Sequence, residues 1–191
     1  MACISSQSTL ASPSFLIHQE SFADVLSVLA MTYSDDETLD SLKYRLLSPS
    51  PALTDWGHEY VRHLASEIGI AYSKRTEAYP PEPTDHLLDL AKQLIPFLLS
   101  HNAEPDAVDL LSELNCIALL PEYVDENTWE RVVAYVVACV PLLTQDEDRD
   151  FLICARTIYR KYERLVEAMT LSIRLDNMDF IEEDFYSTND M

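Results

Sequence analysis

The stretch that decides the fold is Asp55-Trp-Gly-His-Glu-Tyr-Val-Arg-His-Leu-Ala-Ser-Glu-Ile-Gly-Ile-Ala-Tyr72. Within it Tyr60, Val61, Leu64, Ala65, Ile68, Ala71 and Tyr72 recur at intervals of three and four. At 3.6 residues per turn this spacing gathers them on one stripe, so the segment reads as an amphipathic helix over a core. His58, Glu59, Arg62, His63, Ser66 and Glu67 fill the opposite face. A half-buried strand would alternate apolar and polar at every second residue, and this segment does not.

The same period continues in both directions. Residues 1–20 are serine-rich and weakly patterned, and read as disordered or fraying. From Phe22, the residues Val25, Leu26, Val28 and Leu29 predict a helix buried on nearly all sides. Ser34-Asp35-Asp36 closes it and can cap a short helix through Leu47, before a turn at Pro49 and Pro51. Beyond Tyr72, Pro80, Pro81 and Pro83 form a turn and the one candidate internal boundary. Because that turn is short, residues 21–185 are kept as one helical-repeat domain, with 186–191 as a tail.

Thr84 can cap a helix to Ser100 that turns Leu87, Leu90, Ala91, Leu94 and Leu98 inward, with a kink expected at Pro96. Pro105 opens the next helix, which buries Ala107, Leu110, Leu111 and Leu114. Asp125 or Asn127 starts another that ends near Pro141. Its valines at 132, 133, 136, 137 and 140 also fit a strand, but helical neighbours and flanking acids favour a buried helix. Thr144, followed by acids at 146, 147, 148 and 150, begins a helix to Tyr162 that buries Phe151, Leu152, Ala155, Ile158, Tyr159 and Tyr162. Glu163–Leu175 and Met178–Asp184 complete the pattern. The reading is all-α: about nine helices as stacked antiparallel hairpins, in the manner of an α-solenoid.

Composition narrows the function. Only Gly57 and Gly69 occur, too far apart for a phosphate-cradling or dinucleotide-binding loop. Acids outnumber bases 33 to 13, a formal net charge of -20, which repels phosphate backbones and anionic lipids. No nucleic-acid or membrane partner is therefore expected. The apolar run Val132–Leu143, with Pro141 inside it, is too short to span a bilayer. The first basic residue is Lys43, so no signal or transit peptide is read, and cytoplasm and nucleus are the expected locations. Cys3, Cys116, Cys139 and Cys154 form no C-x-x-C pair. Cys139 and Cys154 lie among apolar neighbours and read as buried free thiols.

Candidate chemistry fails on spacing. His58 and His63 are five residues apart, about 140° around a helix, so one zinc ion is not gripped by both. Asp146, Asp148 and Asp150 open like a calcium loop, but its sixth and twelfth positions hold Phe151 and Thr157 rather than Gly and Glu. No nucleophile signature accompanies the scattered histidines. The expectation is no enzyme, no cofactor and no metal. One basic feature stands out. Arg149, Arg156, Arg160 and Arg164 form a stripe on one side of a helix, and Lys161 flanks them; Arg156, Arg160, Lys161 and Arg164 are the candidate partner contacts. It reads either as a solvated face or as a docking stripe for an acidic helix or coiled coil, and the acid-rich stretch 84–130 also offers an internal partner.

Several blocks carry a resemblance. They are Asp24-Val-Leu-Ser-Val-Leu-Ala-Met-Thr-Tyr-Ser34, Leu42-Lys-Tyr-Arg-Leu-Leu47, Trp56–Ile68, His101-Asn-Ala-Glu104, Asp109-Leu-Leu111, Cys154-Ala155, Tyr159-Arg-Lys161 and Leu175-Asp-Asn-Met-Asp179. In order and spacing, across residues 21–185, they resemble the large non-ATPase scaffold subunit of the proteasome regulatory-particle base, a toroid-repeat family. Residues 1–20 and 186–191 depart from the pattern. The resemblance implies a helical-repeat region near the N-terminus of a longer polypeptide, truncated here before a closed ring of repeats. It implies a non-catalytic scaffold and enzyme regulator in ubiquitin-dependent degradation. Its partners would be the ATPase subunits, through their coiled coils, and other regulatory-particle subunits. Ubiquitin-like shuttle factors would bind only through the missing ring, so no residue here is given that role. A free-standing helical-repeat adaptor is the alternative.

Overall fold

A computed structural model describes residues 13–33, 37–48 and 53–189. Among them are ten α-helices and no strand: α1 (Pro13–Ala30), α2 (Asp40–Leu47), α3 (His58–Glu77), α4 (Asp85–Ser100), α5 (Glu104–Glu113), α6 (Leu120–Tyr123), α7 (Trp129–Cys139), α8 (Gln145–Lys161), α9 (Leu165–Arg174) and α10 (Met178–Asn189). The helix beyond the nine expected is α6, a single turn following a 3-10 turn at Ile117–Leu119. The chain divides into two compact units, 1–67 and 68–191.

In the first unit α1 packs on α2. The helix starts at Pro13, well inside the stretch without sequence pattern, and proline at the first position forfeits only a donor that has no intrahelical partner. Residues 1–12 lie outside the described residues. Near-complete burial of this helix is not what forms. Ala23 and Ala30 are buried, whereas Phe22, Val25 and Leu29 face outward, because α2 and the start of α3 cover only one side.

The expected cap at Ser34–Asp36 and turn at Pro49–Pro51 fall outside the described residues. The residue before α2 is Leu39, in the left-handed region at φ 49°, and it offers no capping side chain. The Glu67 carboxylate, brought in from α3, accepts the Leu42 N–H at 2.6 Å instead. This explains a second departure: Glu67, assigned to the solvent face, is buried, and it also meets His63 Nε2 at 3.0 Å. A 3-10 turn over Leu53–Trp56 precedes α3, and Gly57, at φ +88°, supplies the left-handed residue that redirects the chain into it. Asp55 therefore lies before the helix. Across this unit Arg45 Nη1 donates to Asp24 at 2.9 Å, both side chains buried, and the Ser27 and Tyr60 hydroxyls share a hydrogen bond of 2.7 Å.

In the second unit successive long helices pack on one another: α4 on α5, α5 on α7, α7 on α8, α8 on α9 and α9 on α10. The connections α4–α5, α7–α8, α8–α9 and α9–α10 are short, as in antiparallel helix hairpins, whereas α5 reaches α7 through the 3-10 turn and α6. The apolar stripes do the packing. In α4, Leu87, Leu90, Ala91, Leu94, Ile95, Leu98 and Leu99 are buried, and burying each leucine or isoleucine contributes about 1.5–3 kcal/mol. Pro96 lies inside α4 with its ring exposed. Thr84 occupies the residue before α4, but its side chain makes no capping bond.

The valine-rich segment is a helix, with Val132, Val133 and Val136 inward. Its entry is set by Asp125, whose Oδ1 accepts the Asn127 and Thr128 amides at 2.9 Å each. At α8 the Glu147 carboxylate reaches back to accept the Thr144 amide at 3.2 Å and its hydroxyl at 2.9 Å, fixing the first turn. Phe151, Leu152, Cys154, Ala155 and Ile158 carry α8 into the core, while Tyr159 and Tyr162 are half-buried. The last helix, α10, runs to Asn189, past the Asp184 end expected from periodicity.

Candidate functional site

The basic stripe lies on α8 and just beyond it, and the structure puts its members to different uses. Arg156, only 5% exposed, points at the junction of α8, α9 and α10. Its Nη2 donates to Asp184 Oδ1 and to Glu183 Oε2, each at 2.7 Å, and to the Phe180 carbonyl at 3.4 Å. Its Nε donates to Ser172 Oγ at 2.8 Å and to Asp184 Oδ2 at 3.1 Å. The guanidinium lies over the Phe180 ring, 4.1 Å from its centroid. Asp184 is fully buried, and the Ser172 hydroxyl and Arg160 Nη1 also donate to it. Arg160 further reaches Glu183 Oε1 at 3.1 Å and Ser187 at 3.4 Å.

The electrostatics agree with the geometry. Burial alone pushes the Asp184 carboxyl up. Hydrogen bonds from Arg156, Ser172 and Arg160 outweigh it and hold the group below the usual carboxylate range. Burial disfavours the Arg156 cation, but the Asp184 and Glu183 carboxylates more than compensate, so it stays charged. The cluster is a clasp that ties α10 to α8 and α9.

Lys161 and Arg164 keep exposed side chains. Lys161 Nζ donates to the Pro121 and Val124 carbonyls at 2.7 Å each, alongside the Tyr162 hydroxyl, which donates to the same Val124 oxygen at 2.8 Å. These carbonyls lie within α6 and on the residue after it. Arg164 pairs with Glu167 and stands 5.9 Å over the Trp129 ring, which itself stacks on Tyr162 at 5.1 Å. The stripe therefore finds internal partners, as one sequence reading allowed. Its carboxylates come from α9 and α10, and what it meets in the acid-rich stretch 84–130 is the two carbonyls taken by Lys161 and the Trp129 ring beside Arg164. The Arg156 guanidinium is enclosed, and its Nε and Nη2 donors are taken within the chain.

Asp184, Glu183 and Ser172 were missed in the sequence. The available signal was the spacing Phe180, Asp184, Ser187, which sets an acid on the inward side of α10.

The other candidates stay apart. His58 is exposed at the start of α3, and His63 is engaged with Glu67. No group of three potential metal ligands comes together among the described residues. A cavity of about 40 Å³ beside Ser112, Asn115, Ile117, Glu147, Asp150 and Phe151 holds a few waters at most. Cys154 is buried, and burial pushes its thiol up to about 12, so it stays protonated. Cys116 and Cys139 are half-buried free thiols, more open than expected for Cys139. No described helix is long and apolar enough to cross a membrane.

Packed helices, tied at α8, α9 and α10 by an ionic clasp, define an all-α protein of helical-repeat type. The sequence places it further: residues 11–191 match the model of the RPN1 N-terminal domain, and the chain belongs to that family. It is 52% identical over 172 residues to the 26S proteasome regulatory subunit rpn-1 of Neurospora crassa, covering 90% of this chain and 19% of that one. To the 26S proteasome non-ATPase regulatory subunit 2 of Dictyostelium discoideum it is 39% identical over 165 residues, 86% of this chain and 18% of that protein. Homolog A of that subunit in Arabidopsis thaliana is 37% identical over 169 residues, 88% and 19% of the respective chains. The chain thus spans about a fifth of the length of the curated relatives it matches.

Proposed function

We propose that this chain serves as the N-terminal scaffold segment of a proteasome regulatory subunit, a non-catalytic regulator of ubiquitin-dependent degradation that docks beside the ATPase ring. The observation that carries this reading is identity of 52% over nine-tenths of the chain to a relative whose name is that of a 26S proteasome regulatory subunit. The partners are the ATPase subunits, through their coiled coils, and other regulatory-particle subunits, in cytoplasm and nucleus. Ubiquitin-like shuttle factors engage the remainder of the longer relatives and not this segment. Within the basic stripe, Lys161 and Arg164 are the residues placed to meet a partner, because their side chains are exposed, while Arg156 and Arg160 hold α10.

The test is affinity purification of the tagged chain from its own cells at low salt, with the co-purifying proteins identified by mass spectrometry. Recovery of proteasome ATPases, reduced by Lys161→Glu with Arg164→Glu, is the expected result. A soluble, helical chain that recovers no proteasome subunit would overturn the docking reading and leave a free-standing adaptor.

A further inference from the structure

The turn between α3 and α4 is Ala78-Tyr-Pro-Pro-Glu-Pro-Thr84, with prolines at 80, 81 and 83. Proline has no N–H to donate, so a turn of this composition has few amides with which to tie itself down. The tie comes from Arg75, in the last turn of α3. Its backbone carbonyl accepts the Glu82 amide at 3.1 Å. Its Nη1 donates to the Pro83 carbonyl at 3.1 Å and stands 2.6 Å from Nε2 of His86, the second residue of α4. Its Nε lies 4.0 Å from the exposed Glu82 carboxylate. One side chain thus spans the turn from the end of one helix to the start of the next.

The chemistry of this contact fixes the state of the imidazole. A guanidinium offers only donors and keeps its charge. At 2.6 Å His86 Nε2 is therefore the acceptor, with the ring neutral and its proton on Nδ1. Both hydrogens of Arg75 Nη1 are then used, one by Pro83 and one by His86. A proton added to Nε2 turns that acceptor into a donor and sets two cations in contact. The position of His86 in the first turn of α4 also disfavours a cation, because the helix dipole is positive there. Carboxylates act the other way. Glu82 in the turn and Asp85 and Asp89 on α4 are exposed, with Lys92 at 3.6 Å from Asp89; on α3, Lys74 and Glu77 stand exposed on either side of Arg75. These acids offer an imidazolium another place to go. α5 and α6 pack on α4, whose buried side is centred on Leu87, Ala91, Leu94 and Leu98. At about 100° per residue His86 stands about 120° from the middle of that side, away from the groups those helices carry.

We propose that His86 is a proton-operated latch on the turn between α3 and α4. Neutral, it holds Arg75 across the turn; protonated, it leaves Arg75 for the carboxylates of Glu82, Asp85 or Asp89, and the turn opens. Histidine changes charge between about pH 5 and 8, so the latch works near neutrality. It lies wholly within residues 75–89 and requires no partner.

The experiment is amide hydrogen exchange, followed by NMR on the purified chain at about pH 7.5 and about pH 5.5, a window in which ordinary carboxylates stay ionised. The readout is the protection of the Glu82 amide relative to intrinsic exchange at each pH, with the Leu94 amide inside α4 as reference. Glu82 protection is expected to fall at least about fivefold at the lower pH while Leu94 is unchanged. His86→Gln, whose amide oxygen accepts from Arg75 and does not titrate, keeps Glu82 protected at both pH values. His86→Lys, a permanent cation, leaves it unprotected at both. Glu82 protection equal at the two pH values in the parent would overturn the proposal. So would a fall that survives in His86→Gln, which places the sensing group elsewhere, or one shared by Leu94, which is loss of the helix rather than opening of the turn. Protection in His86→Lys equal to that of the parent at pH 7.5 would overturn it as well.

Discussion

Replacing Asp184 by asparagine tests the clasp at its centre. Asparagine keeps the shape and one acceptor but removes the charge, and its amide sets a donor against the donors of Arg156. The guanidinium, 5% exposed, then keeps only Glu183, itself half-exposed, as a charged partner. Breaking a buried pair from one side costs about 3–5 kcal/mol, and the remaining Glu183 contact places this case near 3 kcal/mol. For a unit of this size each kcal/mol lowers the melting temperature by about 3 °C, so a fall of about 9 °C is expected by circular dichroism.

The pH dependence has a fixed sign. The Asp184 carboxyl lies below its usual range in the fold, so its contribution is complete above the unfolded-state value and is lost as pH falls through the lower folded value. The parent and Asp184→Asn therefore differ most near neutrality and converge as pH falls through the lowered folded value. A melting temperature within about 2 °C of the parent at pH 7 would refute the assignment of Asp184 as the counter-charge that makes Arg156 burial tolerable.

Local geometry sets three further outcomes. Glu67→Ala removes the carboxylate that takes the Leu42 amide at the start of α2, at a cost of about 1–2 kcal/mol, read as faster amide exchange at Leu42 and a lower urea midpoint. Gly69→Ala is expected to be neutral or stabilising by up to about 1 kcal/mol. A Cβ there would run into the Glu113 carboxylate, but that flexible group can swing into solvent while α3 gains helix propensity. Glu113 is pushed above the usual carboxylate range by burial and by Asp109, so in the variant its titration, followed by NMR, moves back down. Cys154, with its thiol near 12, resists alkylation until the chain unfolds, whereas Cys116 and Cys139 are modified first; prompt labelling of Cys154 in the native state would contradict its burial.

The helices were legible because burial of leucine, isoleucine and valine repeats with the period of the helix. That signal placed α3, α4, α5, α7 and α8, while helical neighbours and flanking acids, not the period itself, separated the valine run from a strand. It failed at α1, since periodicity reports that Phe22, Val25 and Leu29 are apolar and says nothing about whether a neighbour exists to cover them. It failed again at Glu67 and Asp184. A glutamate in a helix reads as solvated by default, and what buries Glu67 is the orphan amide of α2, a helix 25 residues away in sequence. The basic stripe was legible as a pattern but not as an internal structure, because the carboxylates of its clasp stand on α10, 23 to 28 residues distant.

Each unit buries one arginine against one aspartate, Arg45 with Asp24 and Arg156 with Asp184. Such pairs roughly break even against desolvation, so their use is not mainly in raw stability. Apolar stripes are permissive: a helix slipped by a turn still buries leucine. A bidentate pair is satisfied in one register only. The double replacement Arg156→Met with Asp184→Leu separates the two roles. It removes both charges together, and is expected to leave the melting temperature within about 3 °C of the parent or above it, since apolar replacement of a buried pair is often neutral or stabilising. At the same time the amides of α10 should split into more than one set of NMR signals, as the helix samples alternative seatings on α8 and α9. A single sharp set of signals with unchanged stability would show that apolar packing alone fixes α10. A loss of more than about 3 kcal/mol would show the clasp to be a net source of stability, and in either case the register argument fails.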